Sequence, residues 1–306
     1  MKILLTGANG MVGKNIIELA KQHKHHFLTP SSSELNLLDN TSVQKFLTEH
    51  QPEMIIHTAG IVGGIQANMS QPVKFLVDNM QMGLNILNSA KTFAIKRFLN
   101  LSSSCMYPRS AQNPLSETLI LKGELEPTNE GYALAKIAAT RLCEYINQEQ
   151  PELLYKTIIP CNLYGHHDKF SEHNSHMIPA VIKKIITAKE TNAAEIDIWG
   201  DGEARREFMY AGDLAEFVFY AIEHFDRMPQ NLNVGLGTDY TINEYYQRIA
   251  EVVGYKGAFK HDLSKPVGMK QKLIDDSKLQ EFGWSHKTSL SLGIEKTIEF
   301  YLSEQQ

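Results

Sequence analysis

Thr6-Gly7-Ala8-Asn9-Gly10-Met11-Val12-Gly13 decides the fold. It follows an apolar run, 2–6, with the length and composition of a buried strand, and leads into a segment, 11–23, with helical periodicity. In that context glycines permit a tight turn and let a diphosphate approach the backbone at a helix N-terminus, where unpaired N–H groups and the helix dipole favour an anion. The spacing is G-x-x-G-x-x-G, and Gly7, Asn9, Gly10, Met11, Val12 and Gly13 are the expected dinucleotide cradle.

Outward from this turn, short apolar runs keep alternating with helical patterns. Strands are predicted over 2–6, 26–29, 54–58, 97–102 and 156–160, and helices over 11–23, 41–50, 72–93 and 129–148. That alternation predicts an α/β fold, a Rossmann-like doubly wound parallel sheet covered on both faces. After Pro160 the rhythm loosens into a polar loop over 164–175, a helix over 177–189 and a turn-rich stretch over 199–207. Further helices start near Ala211 and at Thr241, where Thr241 and Glu244 make a capping box. Residues 231–235 read as a strand that returns to the main sheet. The expected organisation is a dinucleotide-binding domain over 1–165, rejoined by about 209–235, interleaved with a smaller α/β substrate lobe over 166–306.

A chain of 306 residues with a formal charge of −5 carries no general attraction for nucleic acid or an anionic membrane, so anionic ligands must be held locally. Cys105, Cys143 and Cys161 have neither metal-ligand spacing nor a disulfide framework, which favours a reducing compartment. No stretch is apolar enough to span a bilayer and the N-terminus opens directly on a strand, so a cytoplasmic location is expected. His23, His25 and His26 read as a solvated turn, and no metal is expected.

The second strand ends in Thr29-Pro30-Ser31-Ser32-Ser33. An NAD site usually places a carboxylate at this tip. Hydroxyls in its place, Ser31 and Ser32 among them, tolerate a 2′-phosphate and favour NADP(H), with Asp39 a candidate acceptor for the adenine amino group. Downstream, Tyr132-x-x-x-Lys136 lies on a predicted helix with both side chains on one face, so that the ammonium can depress the phenol pKa while tyrosine exchanges a proton. One strand earlier stands Ser102-Ser103-Ser104-Cys105, where a hydroxyl could polarise the same carbonyl.

Glycine turn, serine and Tyr-x-x-x-Lys in this order resemble the extended short-chain dehydrogenase/reductase family, and several further segments resemble its GDP-L-fucose synthase branch, the GDP-4-keto-6-deoxy-mannose epimerase/reductases. These are Val62-Gly63-Gly64-Ile65-Gln66-Ala67-Asn68, Ser103-Ser104-Cys105-Met106-Tyr107-Pro108, Leu125-Glu126-Pro127-Thr128-Asn129-Glu130, Asn162-Leu163-Tyr164-Gly165, Asn174-Ser175-His176-Met177-Ile178-Pro179 and Arg206-Glu207-Phe208. The resemblance implies Ser103, Tyr132 and Lys136 as a reductase triad, with Cys105 and His176 as acid/base groups for epimerisation. Thiol and imidazole both titrate near the working range. It also implies cofactor contacts from Leu101, Ser102, Pro160, Asn162, Leu163 and His176, and a sugar-nucleotide cradle of Lys184, Trp199, Arg206 and Lys272. A homodimer built through a four-helix bundle, with a GDP-linked 4-keto sugar as substrate partner, follows from the same resemblance.

The chain departs from the family segment Lys-Pro-Asp-Gly-x-x-Arg-Lys, placing Val267 for the acid and Gln271 for the arginine. Relatives that make GDP-L-colitose or GDP-linked heptoses are therefore the nearest alternatives in substrate. Dehydratases of the superfamily carry an Asp-Glu pair where Ser104-Cys105 stands here, which argues against them. A dinucleotide-sensing scaffold is the non-enzyme alternative, and the presence of both Tyr132 and Lys136 speaks against it.

Overall fold

A computed structural model describes residues 1–170, 175–265 and 267–305. Asn174 of the histidine motif and Pro266 lie outside the described residues. The first half alternates β1 (Lys2–Thr6), α1 (Met11–Ala20), β2 (His26–Leu28), α2 (Asn40–His50), β3 (Met54–His57), α3 (Ile65–Ser70), α4 (Pro72–Thr92), β4 (Arg97–Leu101), α5 (Glu130–Glu149) and β5 (Leu154–Pro160). The second half carries β6 (Asn162–Tyr164), α6 (Met177–Glu190), β7 (Glu195–Trp199), β8 (Arg205–Arg206), β9 (Phe208–Tyr210), α7 (Ala211–Glu223) and β10 (Asn231–Val234). It ends with β11 (Tyr240–Thr241), α8 (Ile242–Val253), β12 (Ala258–Asp262), β13 (Gln271–Lys272), α9 (Ser277–Phe282) and α10 (Leu290–Ser303).

Six parallel strands form the main sheet in the order β10-β5-β4-β3-β1-β2. Their side chains alternate between two cores, as a sheet covered on both faces requires. Ile3, Leu5, Ile56, Leu99 and Ile158 pack on one face with Leu214 and Phe217 of α7. Leu4, Ile55, Phe98 and Tyr155 pack on the other with Val43 and Leu47 of α2, Ile86 of α4 and Cys143 of α5. A third core holds the lobe, where Ile182 and Ile185 of α6 meet Ile196 and Ile198 of β7, Ile249 of α8 and Ile294 of α10.

Local chemistry sets the boundaries. Asp39 Oδ1 accepts from Thr41 N at 2.9 Å and caps α2, a contact that contributes about 1 kcal/mol. The Thr241–Glu244 capping box starts α8, and Pro72 opens α4 at the first position, where its missing N–H has no intrahelical partner to lose. The short strands β6, β8, β9, β11 and β13 lie outside the predicted elements, because two or three residues carry no periodicity and their pairing is decided by the surrounding packing. The pair β7 and β12 and the helices α3, α9 and α10 also go beyond the sequence reading.

Candidate active site

The glycine turn is built as its sequence requires. Gly7 sits at φ +76°, and a Cβ there would stand 2.6 Å from Ala59 N; a Cβ on Gly13 would stand 2.3 Å from Gly7 O. Gly10 N donates to Gly7 O at 3.0 Å, and no side chain caps α1, so its first-turn amides at Met11, Val12 and Gly13 have no side-chain acceptor and are available to an anion. These residues fit a dinucleotide diphosphate.

At the end of β2 the serine tip folds on itself. Ser31 donates to Glu34 Oε2 from both its N and its Oγ, each at 2.8 Å, and Ser31 Oγ lies 2.8 Å from Ser33 Oγ. Those bonds hold the Glu34 carboxyl below its usual range. The carboxylate close to the tip is thus occupied by the turn. Asp39 spends Oδ1 on its helix cap.

Where β4 ends, α5 brings its residues across. Lys136 is buried, and its Nζ donates to Leu101 O at 2.8 Å. Burial holds the ammonium down at about 8. The same nitrogen lies 5.7 Å from the Tyr132 ring centroid. The expected depression of the phenol is not what the environment produces: burial pushes Tyr132 well up, the nearby Cys105 adds to that, and only the Ser103 hydroxyl opposes it. A phenol so held is protonated, the form that can give a proton.

Ser103 ties this group together. Its Oγ accepts from Cys105 N at 3.3 Å, and its hydroxyl is close enough to favour the charged form of both the Tyr132 phenol and the Cys105 thiol. Cys105 is 4% exposed, and burial raises its thiol against the pull of Lys272, Ser103 and Lys136. Ser102 instead points inward, donating to Met106 Sδ at 3.0 Å, and its N donates to Ile158 O at 2.9 Å, which leaves its carbonyl oxygen for any cofactor contact.

Glycines of the loop after β3 close over the site. A methyl on Gly60 would stand 3.8 Å from Lys136 Nζ, one on Gly63 3.2 Å from the Phe75 ring edge, and one on Gly64 3.2 Å from Ser175 O. Phe75 in turn meets Tyr132 edge to face at 6.5 Å. Ser175 precedes His176, so the loop brackets Lys136, Tyr132 and His176. His176 begins α6, with Nδ1 3.7 Å from Asp168 Oδ1. Asn162 Nδ2 donates to Glu207 O at 3.2 Å, and Pro160, Asn162 and Leu163 run along the end of β5 into β6.

The four residues of the expected cradle are differently engaged, and of them Arg206 and Lys272 are neighbours. Lys184 Nζ is 2.6 Å from both Asp197 O and Asp197 Oδ1. Arg206 donates to Arg205 O at 2.8 Å and to Val267 O at 3.0 Å. Lys272, paired with Arg206 across β8 and β13, stands between the cradle and the reaction centre: burial lowers its ammonium, while Cys105 and Glu126 favour the charged form. Trp199 is 40% exposed beneath Lys265, whose Nζ lies 5.6 Å from its ring. Val267 packs on Gly200, where an added Cβ would meet Val267 Cγ1 at 2.1 Å, and Gln271 Nε2 donates to Asp239 Oδ2 at 2.7 Å, sharing that carboxylate with Arg205.

Three polar groups escaped the sequence reading. His57, at the end of β3, bonds Thr6 Oγ1 through Nδ1 at 2.8 Å, and burial pushes it down to about 3, so it is neutral. Glu207 is fully buried and accepts from Leu236 N, Gly237 N and Ile274 N at 2.5, 3.1 and 3.0 Å, which ties the β9, β10 and β13 loops together; burial raises it to about 7. Asp168 faces His176 across 3.7 Å, which nothing in the sequence marks. The signal for Glu207 lay in the Arg206-Glu207-Phe208 motif; the other two are set by packing alone.

The family model described as NAD dependent epimerase/dehydratase matches residues 3–235. The GDP-L-colitose synthase of Yersinia pseudotuberculosis is 63% identical over 305 residues, covering 100% of this chain and 99% of that protein. The GDP-L-fucose synthase of Azorhizobium caulinodans is 44% identical over 302 residues, covering 99% and 96%. Among solved structures, the GDP-mannoheptose C4 reductase of Campylobacter jejuni with NADP bound superposes with a TM-score of 0.90 at 29% identity, covering 98% of each chain.

Proposed function

This chain belongs to the NAD dependent epimerase/dehydratase family, and we propose that within it the protein is an NADP(H)-dependent epimerase/reductase of a GDP-linked 4-keto-6-deoxy-hexose. One observation carries the reading: Ser103 and Cys105, just past the end of β4, converge on the Tyr132 phenol carried by α5, with Ser103 Oγ accepting from Cys105 N at 3.3 Å, which joins a carbonyl-reducing group to a second acid/base group. The NADP-bound Campylobacter relative supports the cofactor, as does a β2 tip whose single carboxylate is occupied by Ser31.

When bound, the reduced nicotinamide supplies a hydride to C4. The protein's own residues do the rest. Ser103 and Tyr132 hold the 4-keto oxygen, and this polarisation acidifies the hydrogens on the neighbouring carbons. Cys105 and His176 exchange protons there, one taking a proton to leave an enolate and the other returning one to the opposite face. Tyr132, kept protonated by burial, then gives its proton to O4 as C4 is reduced. Lys136, anchored on Leu101 O, holds the nicotinamide ribose and the charge beside the phenol. Lys184, Arg206 and Lys272 receive the diphosphate, and Trp199 packs on the nucleoside.

The substrate of the primary reading is GDP-4-keto-6-deoxy-D-mannose, converted to GDP-L-fucose by inversion at C3 and C5 and reduction at C4. A second reading, GDP-L-colitose formation, is favoured by the higher identity to the Yersinia enzyme and by the Val267 and Gln271 departures. Colitose has no hydroxyl at C3, so only inversion at C5 then has a stereochemical outcome. Both 4-keto sugars, supplied with NADPH in D2O, separate the readings. NADPH oxidation with neither sugar overturns the proposal, and the faster substrate, with the positions of deuterium in its product, names the sugar.

The protein works as a cytoplasmic homodimer in this reading. Val73 and Val77 of α4 and Leu134 and Tyr145 of α5 are exposed on two helices packed against each other, an apolar surface suited to a four-helix bundle with a second copy. Among the described residues no helix is long and apolar enough to cross a membrane.

A further inference from the structure

Asp168 and His176 present unused hydrogen-bonding atoms to one another. The Asp168 side chain is 4% exposed; its Oδ1 accepts from Lys169 N at 2.7 Å, while its Oδ2 is buried without a partner among the described residues. His176 Nδ1 is likewise buried without a partner, 3.7 Å from Asp168 Oδ1, although 36% of the His176 side chain is exposed. The Nδ1 edge of the ring is therefore turned into the protein and the Nε2 edge is the open one. A buried carboxylate oxygen needs a donor, and a buried ring nitrogen can be one.

The carboxylate is held in place from several sides. Asp168 N donates to Gly165 O at 3.3 Å. His167 Nε2 is 2.6 Å from Glu18 Oε1 on α1, His166 O accepts from Asn15 Nδ2 at 3.0 Å, and the His166 ring stacks on Phe300 of α10 at 4.9 Å. The loop 165–168 is thus pinned to the helix that carries the glycine turn and to the last helix of the lobe. Glu18 is taken by His167, and no other ion pair involves Asp168 among the described residues.

We propose that Asp168 is the positioning residue for His176: its carboxylate takes the Nδ1–H and leaves Nε2 as the atom that exchanges protons with substrate. The inference rests on the reading of His176 as an acid/base group. In the neutral ring this bond fixes the tautomer with the lone pair on Nε2. When Nε2 takes a proton from a carbon next to the ketone, the C–H electron pair remains in the enolate, the ring becomes an imidazolium and Asp168 stays a carboxylate that balances its charge. Return of the proton from Nε2 restores the neutral ring. A cleft-shaping loop needs neither the buried carboxylate nor the facing nitrogen.

The test uses the full-length protein with NADPH, in wild-type form and as Asp168→Asn and Asp168→Ala. Nitrogen NMR of histidine-labelled protein, with His176 assigned by His176→Gln, reads the tautomer. Wild type is expected to carry Nδ1–H, and Asp168→Asn to shift the ring toward Nε2–H. Deuterium incorporation from D2O into a GDP-4-keto-6-deoxy sugar is expected to slow about 10- to 100-fold in both variants. Hydride transfer to product-configured ketone should change less than about threefold, since Tyr132 and Lys136 are untouched. A wild-type ring protonated on Nε2 overturns the proposal, as does unchanged exchange in both variants. Equal losses of exchange and hydride transfer overturn it too, because they mark a merely structural role. If wild type exchanges no carbon-bound hydrogen at all, it is the epimerase reading that fails, and the nitrogen spectrum still decides whether Asp168 pairs with His176.

Discussion

The sheet half and the lobe keep their cations in different states. At the end of β4, Lys136 is buried, donates to a main-chain carbonyl and has no ion pair with a carboxylate among the described residues, so its charge is committed to the reaction centre. In the lobe, Lys184 is paired with Asp197 on a half-exposed surface and Arg206 is spent on carbonyls. The difference follows from what each region must meet. A reacting carbonyl is best served by groups already fixed where charge will develop. A diphosphate arrives with its own charge and can displace weak surface partners.

The largest effect expected is at the reaction centre. Tyr132→Phe removes the proton donor while keeping the ring that packs on Phe75, and turnover at saturating substrate should fall about 10²- to 10⁴-fold. NADPH binding, followed by nicotinamide fluorescence, should barely change. A Tyr132→Phe enzyme that keeps its kcat and loses only KM would erase the contrast between the regions, since the phenol would then be a binding group like those of the lobe.

Glu207 is the joint between the regions, and its loss is next in size. Glu207→Ala takes the acceptor from the buried Ile274 N–H and from the partly buried Leu236 and Gly237 N–H groups, at a cost of about 3 kcal/mol, readable from the urea midpoint. The pH dependence has a definite sign. Glu207 is raised to about 7 in the fold, so the folded protein binds its proton more tightly than the unfolded chain. Its contribution is fully present below the ordinary carboxylate range and is lost as pH rises through about 7. Wild type should therefore lose stability from pH 5 to 8 by more than Glu207→Gln does. Equal slopes would show that the carboxyl does not titrate across this range.

How far the sequence could be read follows the same division. Strands β1, β3, β4 and β5 and helices α1, α2, α4 and α5 were legible because runs of four or more residues alternate between two buried faces or repeat along a helix, as Ile3, Leu4 and Leu5 do in β1. The glycine turn and the Tyr132–Lys136 spacing were legible because local geometry fixes what they can do. The phenol's protonation was not, because it depends on burial and on Cys105, which arrives from another element. In the lobe, β8 pairs with β11 and β13, segments 30 to 70 residues away, and nothing local marks a two-residue strand. Residues such as Lys184 could be named from the motif, but Asp197, its partner across the β7 face, could not.

Lys136 offers a smaller, sharper test. Burial holds its ammonium down at about 8, so a reaction that needs the charged form should lose activity as pH rises through that value, close to tenfold per unit on the alkaline limb. The effect on stability has the opposite sign. The folded state binds this proton less tightly than the unfolded chain, a cost present in full below about pH 8 and relieved toward the ordinary lysine range. The kcat/KM profile of the free enzyme reports the first effect and urea midpoints between pH 7.5 and 9.5 the second. An alkaline limb displaced to the ordinary lysine value would mean that the reaction centre is no drier than the lobe.

The smallest effect tests the lobe's side of the contrast directly. Lys184 Nζ is 2.6 Å from Asp197 Oδ1, and that bond holds the Asp197 carboxyl below its usual range. With side chains 32% and 49% exposed, such a pair contributes between about 0 and 1 kcal/mol. If the pair is a standby that a diphosphate must displace, Asp197→Asn frees the ammonium and removes a repelling charge. KM for the GDP-sugar should then fall about two- to fivefold, while Lys184→Ala raises it by a similar factor. Both shifts should shrink at ~0.5 M salt, where exposed charges are largely screened. The informative failure is a rise in KM for Asp197→Asn as well. Asp197 would then be aiming Lys184 at the phosphates, and the lobe would be preorganised by the same logic as the centre of the sheet.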